Sequence, residues 1–231
     1  MLTIACVYRS GGDFTHYDVT MLAESINRNV TMNRRIVCLT DHPYEVFPYV
    51  DEVIPLKHNW PGWWSKMELF DLPGPVLYFD LDTRIIRPID DLCRWALKPT
   101  GAVLMLRDFY HPERHASGIM AWNHDLSWLT RQFADLAEHA SWEELAHGVR
   151  CNGYRGDQEY IREQLYQSRI PIEDVQDTQL GIYSYKVDVQ PTNAIPVDAS
   201  ILCFHGRPRP SEVTMPELPG AKALSIPESS E

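Results

Sequence analysis

Pro75-Val76-Leu77-Tyr78-Phe79-Asp80-Leu81-Asp82-Thr83-Arg84-Ile85-Ile86 decides how this chain is read. An apolar run of strand length ends in two carboxylates one residue apart, and a second apolar pair follows. The run reads as a buried strand. The C-terminal ends of strands in open α/β sheets are where ligands bind. Strand alternation puts Asp80 and Asp82 on the same side, so two hard oxygen donors converge on one point. Two adjacent carboxylates are costly unless a proton or a cation sits between them. A divalent ion answers that need and would then hold a phosphorylated ligand.

Working outward, the first half alternates strands and helices. Residues 3–8 read as a first strand, followed by the loop Arg9-Ser10-Gly11-Gly12-Asp13 and a helix over 15–29 with Tyr17, Met21, Leu22, Ser25 and Ile26 on one face. Residues 35–40 and 52–56 read as strands. Residues 62–70 read as a helix stopped by Pro73-Gly74-Pro75. The order predicts an α/β fold with a mostly parallel sheet flanked by helices on both faces. In the second half, strands are expected over 101–106, 118–122, 182–187 and 201–204, and helices over 126–139 and 157–167. A further helix is expected to open at Ser141-Trp142-Glu143-Glu144, a capping-box pattern. Asp90-Asp91 reads as the N-cap of a helix around 92–97. Residues 1–210 are expected to form one domain, with 1–90 as its nucleotide-binding half and 91–210 as its sugar and acceptor half. The Pro-, Ser- and Glu-rich stretch 211–231 reads as a loosely ordered tail.

Composition narrows the classes. The chain has 231 residues, 44% of them hydrophobic, which allows a sizeable core. A formal net charge of -11 argues against general nucleic-acid or anionic-membrane binding, which needs a basic face. It leaves room for a phosphate-bearing small molecule, because local cations can reverse the sign inside a cleft. Five cysteines, Cys6, Cys38, Cys93, Cys151 and Cys203, are scattered without a Cys-x-x-Cys pair. They read as buried free thiols in a reducing compartment. No charged region precedes a long apolar segment, and no stretch approaches the roughly 20 apolar residues of a membrane span. The expectation is a cytoplasmic protein without a signal peptide.

Four other clusters carry chemistry. Lys66, inside Trp60-Pro61-Gly62-Trp63-Trp64-Ser65-Lys66, is either a solvated helix residue or a cation aimed at the cleft, and the aromatic residues around it read as core. Ala116-Ser117-Gly118 puts small residues before a strand, which suits a turn and also lets a substrate approach the backbone. Gly156-Asp157-Gln158 opens a helix, where it can cap or present a carboxylate and an amide to sugar hydroxyls. His205-Gly206-Arg207-Pro208-Arg209 closes an apolar strand with an imidazole suited to metal ligation and two guanidiniums suited to clamping phosphate.

In their order along residues 2–210, these pieces resemble the nucleotide-sugar glycosyltransferases of the GT-A fold, and glycosyltransferase family 8 in particular. The resemblance implies a Rossmann-like, mostly parallel mixed sheet. It implies a metal-dependent transfer of a hexose from a UDP-sugar to a saccharide-type acceptor, with retention of configuration. By the same resemblance Asp80, Asp82 and His205 would bind Mn2+, although two carboxylates and an imidazole also suit Mg2+. Ala5, Val7 and Tyr8 would line the base, with Asp41 nearby. Lys66 would meet the donor's phosphate or sugar, and Ser117 and Gly118 would border the sugar. Asp157 would accept its hydroxyls, Gln158 would lie near the reacting carbon, and Arg207 and Arg209 would hold the diphosphate. The late motif departs from the family in having Gly206 directly after the histidine and Ser211 where a Trp is usual.

Two other readings use the same residues. Haloacid-dehalogenase-type phosphatases also place Asp-x-Asp after an apolar strand, with the first Asp, here Asp80, as nucleophile. Their pattern wants Thr or Val where Arg84 stands. The other is a non-catalytic module that binds a nucleotide sugar or a carbohydrate.

Overall fold

The computed structural model describes residues 1–140 and 153–218. Strand β1 (Leu2–Tyr8) is apolar almost throughout because both of its faces are covered. Its even-numbered residues Leu2, Ile4, Cys6 and Tyr8 face one apolar layer, and Ala5 and Val7 face the other. The same alternation runs along β4 (Val76–Phe79): Leu77 and Phe79 point one way, Val76 and Tyr78 the other. With β2 (Arg34–Thr40), β3 (Glu52–Pro55), β6 (Val103–Arg107), β7 (His115–Trp122) and β8 (Ile172–Asp174), they form a seven-stranded sheet of order β3-β2-β1-β4-β7-β6-β8. Every strand of it is parallel to β1 except β7, which pairs antiparallel with β4 and β6. The expected α/β class with a mostly parallel mixed sheet flanked by helices is what the structure contains.

Helices α1 (His16–Asn29) and α2 (Asp90–Ala96) cover one face. The 3-10 helix Gly62–Asp71, α3 (Ser127–Glu138) and α4 (Asp157–Gln167) cover the other. The Asp18 carboxylate accepts hydrogen bonds from the Thr15 N–H and hydroxyl at the start of α1 (2.9 and 3.1 Å). The buried stripe of α1 is Val19, Leu22, Ala23 and Ile26, rotated from the expected one, and Tyr17 is exposed. The expected helix over 62–70 forms as a 3-10 helix and is buried nearly all round, its polar residues Ser65, Lys66 and Glu68 included. Glu68 tethers it by accepting the backbone N–H groups of Lys57 and His58 (2.6 and 3.0 Å).

A second, three-stranded sheet of order β5-β10-β9 joins β5 (Thr83–Ile85), β9 (Gly181–Ser184) and β10 (Ala199–Cys203) over a small core around Tyr185, Leu202 and Phe204. The strand expected over 182–187 stops at Ser184. There the Ser184 hydroxyl accepts the Val187 N–H and the Asp188 carboxylate accepts the Ser184 N–H, capping a π-helical turn over Tyr185–Val189. Asp90 and Asp91 are the first residues of α2 and not its cap; Asp90 instead accepts the Thr31 N–H and hydroxyl (2.9 and 2.6 Å). Cys6, Cys38, Cys93 and Cys203 are buried free thiols as expected. Cys151 and the helix expected at Ser141 lie outside the described residues. Of the segment expected as a tail, Val213, Met215 and Leu218 pack on the small core, and 219–231 lie outside the described residues.

Candidate functional site

Strands β2 and β3 lie on one side of β1 and β4 on the other. Strand order therefore switches between the C-terminal ends of β1 and β4, and a crevice opens there. Asp80 follows β4 directly, its N–H bonded to the Gly118 carbonyl of β7 (2.9 Å). The chain then turns, closed by the Thr83 N–H on the Asp80 carbonyl (3.0 Å). Asp80 and Asp82 reach one cavity because of this turn, not because of strand alternation, since β4 has already ended. Pairing of Cys203 with Thr83, and the Phe204 N–H on the Asp82 carbonyl (3.0 Å), bring the end of β10 to the same place. His205 is delivered there. Gly206 follows at φ +90, a left-handed conformation suited to glycine.

The main cleft has a volume of about 480 Å3, and its walls include Val7, Lys66, Asp80, Asp82, Gln158 and Arg209. Ser117, Asp157 and His205 line it as well. Lys66 is the hub of one wall. Its ammonium lies 2.9 Å from Asp80 Oδ1, 2.8 Å from Asp157 Oδ2 and 3.0 Å from the Ser117 hydroxyl, and it sits 5.3 Å above the Tyr78 ring. Ser117 in turn donates to Asp157 Oδ2 (2.6 Å), and the Tyr78 hydroxyl donates a short bond to Asp80. The Lys66 side chain is only 7% exposed. Burial alone would lower its pKa, but the Asp157 and Asp80 carboxylates outweigh that and hold it above the ordinary value. Burial, and then the Asp80 charge, raise Tyr78 well above the usual phenol range.

The opposite wall is made of loops. Arg209 Nη1 lies 2.7 Å from Asp82 Oδ2, and Nη2 lies 3.1 Å from Asp13 of the loop after β1. Its guanidinium lies 4.3 Å from the Phe14 ring centroid. Arg207 pairs with the same Asp13 (3.1 Å) and with Glu212. The Gly206 N–H makes a long bond to Asp82 (3.4 Å). Burial, reinforced by the Asp80 charge and opposed by Arg209, pushes the Asp82 carboxyl up to about 6. His205 stacks on Phe109 at 5.3 Å, and its Nε2 lies 2.6 Å from the Ser184 hydroxyl. Burial and then Lys186 lower its pKa.

Asp80, Asp82 and His205 share the wall of an adjoining cavity of about 220 Å3. Among the described residues no three His, Cys, Asp or Glu side chains close into a ligand cluster, and each of these three is engaged elsewhere. Asp80 Oδ2 and Asp82 Oδ1 take no hydrogen bond from the described residues. Two carboxylates and an imidazole, facing one cavity where like charge already raises a pKa, fit a hard divalent cation in donor type.

Of the other residues singled out from sequence, Val7 and Gly118 lie on cavity walls. Ala5 is buried in the sheet. Tyr8 packs on Phe47 and stacks on His42. Asp41 accepts from the Ser10 N–H and hydroxyl (3.0 and 2.5 Å) and pairs with Arg9 (3.1 Å), so it braces the loop after β1. Arg207 meets Asp13 and Glu212 beside the cleft. Sequence reasoning missed Tyr78, Asp13 and Phe14, and it assigned Trp63 to the core. Trp63 is 48% exposed and lines the cleft; the glycine before it, Gly62 at φ +53, was the local sign of a turn.

No protein-family model matches the chain, and no curated protein matches its sequence. Solved structures do. The chain is similar to the glycosyltransferase GlyE of Streptococcus pneumoniae TIGR4, with a TM-score of 0.60 at 14% identity over 91% of this chain and 56% of that one. The apo form of GlyE gives a TM-score of 0.56 at 14% identity, over 90% and 55%. The chain thus shares the fold of a glycosyltransferase and spans just over half the length of those structures. No helix among the described residues is long and apolar enough to cross a membrane.

Proposed function

We propose that this chain is a cytoplasmic glycosyltransferase of the GT-A type, related to family 8, that moves a hexose from a UDP-sugar to a saccharide-type acceptor with retention. The observation that carries this reading is the Lys66 hub. One buried cation joins the carboxylate after β4 to the carboxylate opening α4, at a switch-point crevice whose other wall carries Arg209. Glycosyl transfer from a nucleoside diphosphate needs negative charge stabilised on the departing diphosphate, and fixed cations in a sheltered cleft supply that without a proton donor. Arg209 presents a planar fork to the phosphate oxygens. Lys66 and Ser117 fix Asp157 through its Oδ2, so that its other oxygen accepts the sugar's hydroxyls. The Gln158 amide stands next to it on the cleft wall, beside the reacting carbon. Small residues at Ser117 and Gly118 let the sugar approach the backbone, and Val7 borders the base. A divalent ion, Mn2+ or Mg2+, would be held by Asp80, Asp82 and His205 and would add Lewis-acid stabilisation of the diphosphate.

The test is a thermal-shift titration with UDP and UDP-sugars, with and without Mn2+, followed by donor hydrolysis in wild type and Asp82→Asn. Metal-dependent stabilisation by UDP is expected, with a loss on the order of 10²-fold in turnover for the variant. Full activity in excess chelator rejects the metal role. Stabilisation by UDP without turnover on any acceptor would point to a binding module, and phosphate release from simple esters with a phosphorylated Asp80 to a phosphatase.

A further inference from the structure

Behind Asp157 and Gln158 lies another cavity of about 450 Å3, which shares Trp63, Asp157 and Gln158 with the main cleft. We infer that this cavity is the acceptor site and that it takes a saccharide carrying an anionic group, a phosphate or a carboxylate. Its role as an acceptor site rests on the glycosyl-transfer reading above; its preference for an anion rests on its own walls.

Those walls carry Arg114, Arg155 and Arg162, in a chain whose formal net charge is -11. They also carry three carboxylates, each held through one of its oxygens. Asp108 accepts the N–H groups of Tyr110 and His111 (2.8 and 2.9 Å), Glu159 accepts the Arg155 N–H (2.7 Å), and Asp157 is held by Lys66 and Ser117. The guanidiniums are not committed in the same way. Arg162 is 15% exposed, and its closest ion pair is 4.0 Å from Glu163. Arg114 has an ion pair only with its sequence neighbour Glu113 (3.3 Å), and the Arg155 side chain has no ion pair among the described residues. With a single ion pair of 4.0 Å among the described residues, the Arg162 guanidinium keeps most of its five N–H donors open to an acceptor in the cavity. Phosphate and carboxylate are the planar or forked acceptors that match it.

The placement also suits transfer. Gln158 and Arg162 are four apart on α4 and so project to one side of the helix. An acceptor anchored by Arg162 therefore extends towards the Gln158 wall, where the donor sugar is proposed to lie. The half-exposed Trp63 indole, common to both cavities, offers a flat apolar face of the kind sugar rings stack on.

Calorimetric titration of the full chain with a hexose 6-phosphate, a hexuronate and a neutral methyl hexoside tests this. At least one anionic sugar is expected to bind tenfold or more tightly than the neutral one, and the two anionic arms decide between phosphate and carboxylate. Arg162→Gln and, separately, Arg114→Gln on its exposed loop are each expected to weaken the anionic sugar by roughly tenfold, leaving the neutral sugar unchanged. Equal binding of neutral and anionic sugars, or unaltered anion affinity in both variants, overturns the inference. UDP is titrated into the same samples. UDP binding without anion preference rejects the acceptor assignment alone, whereas anion preference without UDP binding supports the anion cavity and rejects the donor reading of the main cleft.

Discussion

Two cation–carboxylate clusters face each other across the main cleft, and they are built differently. Lys66, Asp157, Ser117 and Tyr78 come from a 3-10 helix, the start of α4 and strands β7 and β4, and Asp80 from the turn directly after β4. Each of these elements is sealed in the main core, and the cation is almost inaccessible. Arg209, Asp82, Asp13 and Arg207 come from loops; Asp13 and Arg207 are well exposed, while the Arg209–Asp82 pair is largely buried. A buried ion pair that loses one member leaves a stranded charge, whereas exposed pairs contribute little to stability. The first cluster is thus part of what holds the fold together. In the second, the pairs made with exposed Asp13 contribute little to stability and can change partners when an anion arrives.

That contrast can be broken most directly at Lys66. Lys66→Met should lower unfolding free energy by about 3–5 kcal/mol in a urea titration, because Asp80 and Asp157 lose their shared counter-ion. An unaltered midpoint would erase the difference between the walls. Next, a Cβ at Gly181 would overlap the Asp198 carbonyl oxygen in the small sheet that carries His205. Gly181→Ala is expected to cost about 1–3 kcal/mol and to weaken UDP binding with it; UDP affinity untouched at reduced stability would show that the loop wall does not depend on that sheet. Arg209→Met leaves the largely buried Asp82 carboxylate without its cation and should cost about 1–3 kcal/mol, less than Lys66→Met, while weakening UDP roughly tenfold, and a stability loss as large as that of Lys66→Met would make the two clusters equivalent. The smallest effect isolates the scaffold's own response to acid. His124 lies past the end of β7 remote from the cleft, with both ring nitrogens buried and no hydrogen-bond partner among the described residues, and burial lowers its pKa. The unfolded chain therefore binds more protons as pH falls through the ordinary histidine value of about 6.5, and stability declines there. His124→Leu should flatten part of that decline, as read by thermal melts between about pH 7 and 5.

The two walls also differ in how far they could be read from sequence. Residues 80 and 157 stand at the ends of strongly patterned elements, 66 and 117 lie within such elements, and the structure brings the other three within hydrogen-bond reach of Lys66. Continuous apolar runs such as 2–8 and 76–79 leave little doubt about burial on both faces. The other wall depends on partners 127 and 196 residues apart, Asp82 and Asp13 for Arg209, and no local pattern encodes such a pairing. Local signals also failed where side chains competed with the ladder: Ser184 and Asp188 turn the chain into a π-helical turn in place of a longer strand. Trp63 was misplaced because the indole rings around it, Trp60 and Trp64, do belong to the core.

The backbone bond from Phe204 to Asp82 has a consequence for biosynthesis. The floor of the cleft leaves the ribosome more than a hundred residues before the strand that completes it. A nascent chain that has not yet released residues 199–209 from the ribosome can assemble much of the large sheet, yet it owns no finished pocket. The pocket is therefore closed in one step, after the scaffold has been tested by folding.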